Sequence, residues 1–180
     1  MTVQPGDIIL TGVKSQGVVS VAIKLGAKLR YGPRSPHAQF SHAAIVYDVL
    51  DGVPVLVEAV RSGVVKRRMH YLPGDYVIVK TSTLATLSDI GQMRRFLDNV
   101  VAAKERYGFV MFFWLALFCL TGTAYGMYKA GTSICSGLCC NAGMVWGGMP
   151  SGGWKRPPLV MQPADIHAQA VAERVAIVAG

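Results

Sequence analysis

Two apolar segments joined by a turn constrain the fold of this chain more than any other feature. Residues 40–47 and 53–60 are rich in Ala and Val, and small and β-branched apolar residues of this kind suit buried β-strands. Asp51-Gly52 lies between them, and this dipeptide is typical of the tight turn of a β-hairpin. We therefore predict a hairpin over residues 40–60 as part of an antiparallel sheet.

Turn signals and apolar periodicity predict the remaining elements. Further strands are expected at residues 8–10, 63–66 and 76–80. Helices are expected at residues 15–30, 87–106, 134–145 and 166–174. Ser88 or Asp89 is the expected cap of the second helix, and Thr132-Ser133 is the expected cap segment of the third. The pattern predicts one α+β domain over residues 1–146 and a Gly/Pro-rich extension over residues 147–180 that contains the last helix.

Composition and charge limit the kinds of partner that this chain can have. Of its 180 residues, 52% are hydrophobic and 16% are charged, which predicts a large buried core or an apolar contact surface. The net charge of +8 favours anionic partners. The basic residues are scattered apart from Lys66-Arg67-Arg68, which we interpret as a solvated strand end, and no nucleic-acid-binding module is recognisable. Nucleic acid is therefore not an expected partner.

Membrane insertion and secretion are not expected either. The most apolar segment, residues 109–120, has 12 residues, whereas a transmembrane helix needs about 20, so a buried core helix is predicted there. Peripheral contact with a membrane stays open. The first residues do not show the basic and then apolar pattern of a signal peptide. We expect the protein in the bacterial cytoplasm or in a phage virion.

Three of the four cysteines lie within six residues, and their chemistry depends on position in the predicted helix. Their spacing suggests neither a disulfide framework nor a zinc site, so no metal is expected. Cys135 falls at the start of the predicted third helix, where the helix dipole and the backbone N–H groups favour a thiolate. Cys119 and Cys139 are interpreted as buried core residues.

A thiol nucleophile needs a base, and one histidine is placed on a rigid element. His37, His70 and His167 lie in a loop, beside the basic cluster and in the tail, whereas His42 opens a predicted strand. Glu58 lies inside the apolar partner strand of the hairpin, and a buried carboxylate requires a polar partner. The residues therefore suggest a group of Cys135, His42 and Glu58 that resembles a catalytic triad.

Four short motifs occur in a characteristic order along the chain. They are Pro-Gly-Asp-Ile-Ile-Leu at 5–10, Phe-Ser-His-Ala-Ala-Ile-Val at 40–46, Val-Glu-Ala at 57–59 and Ile-Cys-Ser-Gly-Leu at 134–138. This set resembles the circularly permuted branch of the NlpC-type, papain-like thiol peptidase superfamily, which includes YiiX-like proteins and relatives of lecithin:retinol acyltransferase. The resemblance covers about residues 5–145, and the histidine before the cysteine is its mark of permutation.

The resemblance implies a fold and a role for each matched residue. The fold would be a permuted papain-like one, with a small antiparallel sheet or barrel packed against helices and the catalytic cysteine at a helix N-terminus. The implied roles are nucleophile for Cys135, general base for His42, orienting carboxylate for Glu58, oxyanion or supporting positions for Ser41 and Ser136, and substrate-pocket candidates for Asp7 and Tyr107. No cofactor is implied. Gly108 and Gly137 depart from the pattern, since each stands where the family has an acidic residue.

Three functions follow as expectations. The first is hydrolysis of an amide bond in a peptide or in cell-wall peptidoglycan, through an acyl-enzyme on Cys135. The second is a lipid acyl hydrolase or acyltransferase of the same fold, since residues 109–120 would suit an acyl chain. The third is a non-catalytic structural component of a virion tail or envelope complex, with Trp146 and Trp154 in an assembly surface.

Overall fold

The computed structural model describes residues 2–12, 14, 17–84, 86–107, 132–146 and 161–180. The predictions for residues 109–120, Gly108, Cys119 and Trp154 lie outside these ranges, as do those for the side chains of Tyr107 and Trp146. Within the described ranges the protein is an α+β domain, which confirms the α+β class but does not test the permuted papain-like topology.

A six-stranded antiparallel sheet forms the centre of the fold, with strand order β4-β3-β2-β1-β5-β8. A second, two-stranded ribbon pairs β6 with β7 in parallel. The strands are β1 (Ile8–Thr11), β2 (His42–Leu50), β3 (Val53–Val60), β4 (Gly63–Arg68), β5 (Tyr76–Val79), β6 (Arg106–Tyr107), β7 (Thr132–Ser133) and β8 (Ile177–Ala179).

Four α-helices and two short 3₁₀ turns are described around this sheet. The helices are α1 (Val18–Tyr31), α2 (Leu87–Ala102), α3 (Cys135–Trp146) and α4 (Pro163–Ala172). The 3₁₀ turns are Pro36–Gln39 and Thr81–Leu84. Among the described residues, no helix combines the length and the apolar character that crossing a membrane requires.

The predicted hairpin is confirmed by the pairing of β2 with β3. Asp51 and Gly52 form its turn with φ of 52° and 77°, the left-handed backbone that two-residue hairpin turns need. The side chains of β2 and β3 pack on both faces of the sheet, so a slip of one residue would reverse which side chains meet each core. The register of this hairpin therefore positions every residue of the site described below.

The ends of two helices differ from the sequence-based expectation. Thr86, and neither Ser88 nor Asp89, caps α2, because its side chain accepts from the backbone N–H of Asp89 while the Asp89 carboxylate accepts from the N–H of Thr86. Thr132 and Ser133 form strand β7, and α3 begins at Cys135.

The larger part of the core lies between one face of the sheet and helices α2, α3 and α4. Leu10 and Ile45 meet Leu97 and Leu138 there, and Ile166 of α4 belongs to the same cluster. Residues 161–180 thus contribute a helix to this core. They also contribute β8, an unpredicted strand that pairs with β5 at the edge of the sheet.

Candidate active site

His42 is held where three elements meet. It is the first residue of β2 and pairs with Thr11 at the end of β1. The preceding residue, Ser41, donates its backbone N–H to the Thr11 carbonyl at 3.1 Å, and its hydroxyl contacts the Ser20 hydroxyl of α1 at 2.6 Å. Gly12 has φ of +90°, and a Cβ there would lie 2.1 Å from the Ser41 oxygen, so glycine permits this close approach. These contacts of Ser41 fix the backbone next to His42.

Glu58 reaches His42 across the hairpin. The register pairs Ile45 with Val57, and its extension places Glu58 opposite Ala44, on the same face of the sheet as His42. The His42 Nε2 atom lies 2.6 Å from Glu58 Oε2, and the carboxylate is wholly buried. The two residues are therefore in direct contact, as the sequence predicts.

Two further residues hold the Glu58 carboxylate. Arg67 Nε donates to Oε1 at 2.6 Å, and the Tyr71 hydroxyl donates to Oε2 at 2.7 Å. Burial alone would raise the pKa of Glu58, but hydrogen bonds from His42 and Arg67 outweigh it and lower the pKa to about 2. Glu58 is therefore a fixed negative charge beside the imidazole.

The sequence-based interpretation missed both of these residues. Arg67 was assigned to a solvated strand end, and Tyr71 was given no role. The alternation of side chains between the two faces of a sheet could have indicated Arg67. It lies on β4, the strand next to β3, and pairs with Leu56, which is on the same face of the sheet as Glu58. Tyr71 lies beyond the strand, where strand periodicity gives no information.

Cys135 is the first residue of α3, and its side chain meets the imidazole of His42. A hydrogen bond joins the thiol to His42, and the backbone N–H groups of Ala43 and Ser136 donate to the sulfur. Because Nε2 of His42 faces Glu58, Nδ1 is the ring nitrogen that remains for the thiol. The chain of contacts is therefore thiol, imidazole, carboxylate.

These contacts favour the ionised forms of both groups. Burial raises the pKa of the Cys135 thiol, but the hydrogen bond and the charge of His42 outweigh burial and lower it. For His42 burial acts in the opposite direction and lowers the pKa, but the hydrogen bonds to Cys135 and Glu58 outweigh burial and raise the pKa to about 10. Both shifts favour a thiolate beside an imidazolium over the neutral pair, and the two groups titrate as a pair.

The neighbouring thiols of α3 lack such contacts. Cys139 and Cys140 are fully buried, and burial raises the pKa of each well above its usual range. Both belong to the hydrophobic core, as predicted for Cys139. Of the three described cysteines, Cys135 alone has a lowered thiol pKa.

Three predicted site residues remain, namely Ser136, Asp7 and Tyr107. Ser136 is buried, and its hydroxyl donates to the Met161 carbonyl at 2.6 Å, so its side chain anchors the start of α3. Asp7 is buried in an ion pair with Lys80 at the opposite end of β1 from His42, about 13 Å along the strand. Tyr107 contributes its backbone to β6.

A cleft of about 930 Å³ opens beside His42. It is lined by the first turns of α1, by the end of β3 with Arg61, by residues 70–72 after β4, and by His42 and Glu58. Asp7 and Cys135 are not among the described residues that line it, and Cys135 is 2% exposed. The partly exposed imidazole of His42 therefore connects the cleft with the thiol.

Two further observations concern metal binding and similarity to known proteins. Within the described part of the chain, no group of three or more His, Cys, Asp or Glu side chains is placed to hold a metal ion. Comparisons with protein-family models, with curated proteins and with solved structures found no match for the chain. The candidate site therefore rests on its own geometry.

Proposed function

We propose that the protein is a thiol hydrolase that forms an acyl-enzyme on Cys135, with a permuted papain-like fold. The observation that carries the proposal is the continuous contact from the Cys135 thiol through the His42 imidazole to the buried Glu58 carboxylate. A cysteine at a helix start, a histidine at a strand start and a carboxylate on the next strand support it, because each is held by a rigid element.

The proposed reaction has two stages. The Cys135 thiolate attacks a carbonyl carbon, and the His42 imidazolium donates its proton to the leaving amine or alcohol as the acyl–sulfur bond forms. His42 then accepts a proton from water, which attacks the thioester and releases the acid and the thiol. The backbone N–H of Cys135, at the start of α3, is the proposed donor that stabilises the oxyanion. Glu58 keeps the imidazole oriented throughout.

We propose an amide of a peptide or of peptidoglycan as the substrate. The cleft beside His42 has a volume of about 930 Å³, and its lining includes polar groups such as Arg61 and His70 that could bind a peptide backbone. Because Cys135 is 2% exposed, the carbonyl must approach past the His42 ring, so a narrow, extended substrate fits better than a bulky one.

A lipid ester is the second candidate substrate. The lining of the cleft includes the apolar side chains of Val18, Val19 and Ile23 of α1 and of Leu72. Such a surface would accept an acyl chain. A non-catalytic role in a virion or envelope assembly is the remaining alternative.

Turnover by matched cysteine variants tests these proposals. Wild type, Cys135→Ala and the control Cys139→Ala are incubated with purified peptidoglycan, with a peptide library and with lipid esters. We expect release of new amine or acid by wild type and Cys139→Ala and none by Cys135→Ala, and the substrate that turns over identifies the bond. Equal release by all three proteins would refute the role of Cys135. Absence of release on every substrate would favour the non-catalytic role.

A further inference from the structure

Helix α1 exposes a stripe of large apolar side chains. Val18, Val21, Leu25 and Leu29 are 87%, 52%, 56% and 63% exposed, and we call these four residues the α1 stripe. Their spacing of three, four and four residues places them on one face of the helix. Four exposed apolar side chains in one row exceed the isolated ones that are normal on a protein surface.

The opposite face of α1 fixes the helix to the protein. Ile23 and Ala27 are buried there, and Ala27 packs against Ala38 of the first 3₁₀ turn and Ala164 of α4. Arg30 Nη1 also donates to both carboxylate oxygens of Asp165 of α4, at 2.9 and 3.1 Å. The α1 stripe is therefore presented outward by a helix that is anchored along its other side.

The charge beside the α1 stripe is positive. Helix α1 contains no acidic residue, and Lys24 and Lys28 lie one turn apart next to the stripe. Burial, and then the charge of Lys28, lowers the pKa of Lys24. Asp75, an acidic residue of the adjoining cleft, is paired with Lys14 at 2.5 Å. A surface that meets the stripe would therefore gain from negative charge.

The α1 stripe continues into the cleft that contains His42. Val18 belongs to both, and Leu72, another residue that lines the cleft, is 68% exposed. A flat surface resting on the stripe would therefore touch the mouth of the cleft on its apolar side.

We propose that the α1 stripe docks the protein onto the surface of an anionic lipid bilayer, with Lys24 and Lys28 at the level of the headgroups. An apolar face with lysines along its edge on an anchored helix has the features of an interfacial helix, which lies in the plane of the membrane. The net charge of +8 adds a longer-range attraction to the same surface. This inference rests on the surface of α1 and is independent of the proposed hydrolysis.

Vesicle sedimentation with the full chain tests the proposal. The probes are vesicles of phosphatidylcholine alone and of phosphatidylcholine mixed with phosphatidylglycerol. We expect binding to the mixed vesicles that weakens as salt is added, because screening reduces the headgroup attraction. The double variant Leu25→Glu/Leu29→Glu should bind about tenfold more weakly or worse, since losing even partial insertion of one leucine has about this effect.

Two single variants separate the stripe from a general effect of apolar or charged surface. Lys28→Glu, at an exposed position, should weaken binding to the mixed vesicles with no change in melting temperature. Leu87→Glu alters a leucine of α2 that is 93% exposed and should bind as wild type does.

Three results would overturn the proposal. The first is absence of binding to mixed vesicles, and the second is equal loss in the Leu87→Glu control. The third is light scattering that shows a dimer in wild type and a monomer in the leucine double variant, which would assign the stripe to a second copy of the chain.

Discussion

Replacing Glu58 by Gln is the substitution that tests the electrostatics of the site most sharply. The carboxylate accepts hydrogen bonds from His42, Arg67 and Tyr71, all within 2.7 Å. Gln has a single acceptor oxygen, and its NH₂ group would face a donor. The substitution keeps the size of the side chain and removes the negative charge from beside the imidazole.

The size of the effect follows from that lost contact. A hydrogen bond to a charged group contributes about 1.5–3 kcal/mol, and one pKa unit corresponds to about 1.4 kcal/mol. The pKa of His42, which is about 10 with Glu58 in place, should therefore fall by about one to two units in Glu58→Gln. The imidazolium would then lose its proton nearer to neutral pH.

The ring-nitrogen chemical shifts of His42, followed by NMR against pH, measure this change directly. With four histidines in the chain, the His42 signals can be assigned from a His42→Gln variant. Asp98→Asn is the matched control, because Asp98 also accepts from a tyrosine, Tyr47, and from a cation, Lys66, but belongs to a different cluster. We expect the His42 titration to be unchanged in this control.

The same two pKa shifts should make the stability of wild type depend on pH differently from that of Glu58→Gln. The raised pKa of His42 contributes stability that is present below its ordinary value of 6.5 and is lost as pH rises toward about 10. The lowered pKa of Glu58 contributes stability that is present above 4.5 and is lost as pH falls toward about 2. Both contributions are fully present between pH 4.5 and 6.5, so the difference in unfolding free energy between wild type and Glu58→Gln should be largest in that interval. An identical His42 titration in both proteins would refute the reasoning.

Three further predictions concern single contacts. Tyr71→Phe removes one donor to Glu58 and should shift the His42 titration less than Glu58→Gln does, as NMR would show; a larger shift would contradict this order. Thr86→Ala removes the side-chain cap of α2 and should lower the unfolding free energy by about 1 kcal/mol in urea titrations, whereas an unchanged value would contradict the capping role. Burial, and then the charge of His37, lowers the pKa of His167 to about 4, so stability should fall as pH drops from 6.5 toward 4. His167→Gln should remove that loss in thermal melts, and an unchanged acid slope would contradict it.

The hairpin and the three site residues were accessible to sequence reasoning because local rules determine them. Asp51-Gly52 specifies the turn, and alternation along β3 then places Glu58 on the face of His42. The capping signal at Thr132-Ser133 predicts a helix start close to Cys135, and α3 begins at Cys135, although Thr132 and Ser133 themselves form β7. Signals of this kind depend only on residues that are close together in the sequence.

The parts that sequence reasoning missed depend on contacts between distant segments. Strand β8 is three residues long and is stabilised by pairing with β5, about a hundred residues earlier in the chain. Arg67 lies in a run of basic residues that looks solvated until β4 is paired with β3. Asp7 has the position that the motif predicts, but its partner Lys80 draws it into a buried ion pair away from the cleft.

The most direct test of the central claim is to locate the acyl group after brief reaction with an activated ester such as p-nitrophenyl acetate. Peptide mass spectrometry should find one acetyl group on Cys135, bound as a thioester that hydroxylamine removes. The reaction should be absent from Cys135→Ala, strongly slowed in His42→Gln and unchanged in Cys140→Ala. Acetylation of Cys139 or Cys140 in preference to Cys135, or a rate at Cys135 that does not depend on His42, would contradict the assignment of Cys135 as an activated nucleophile.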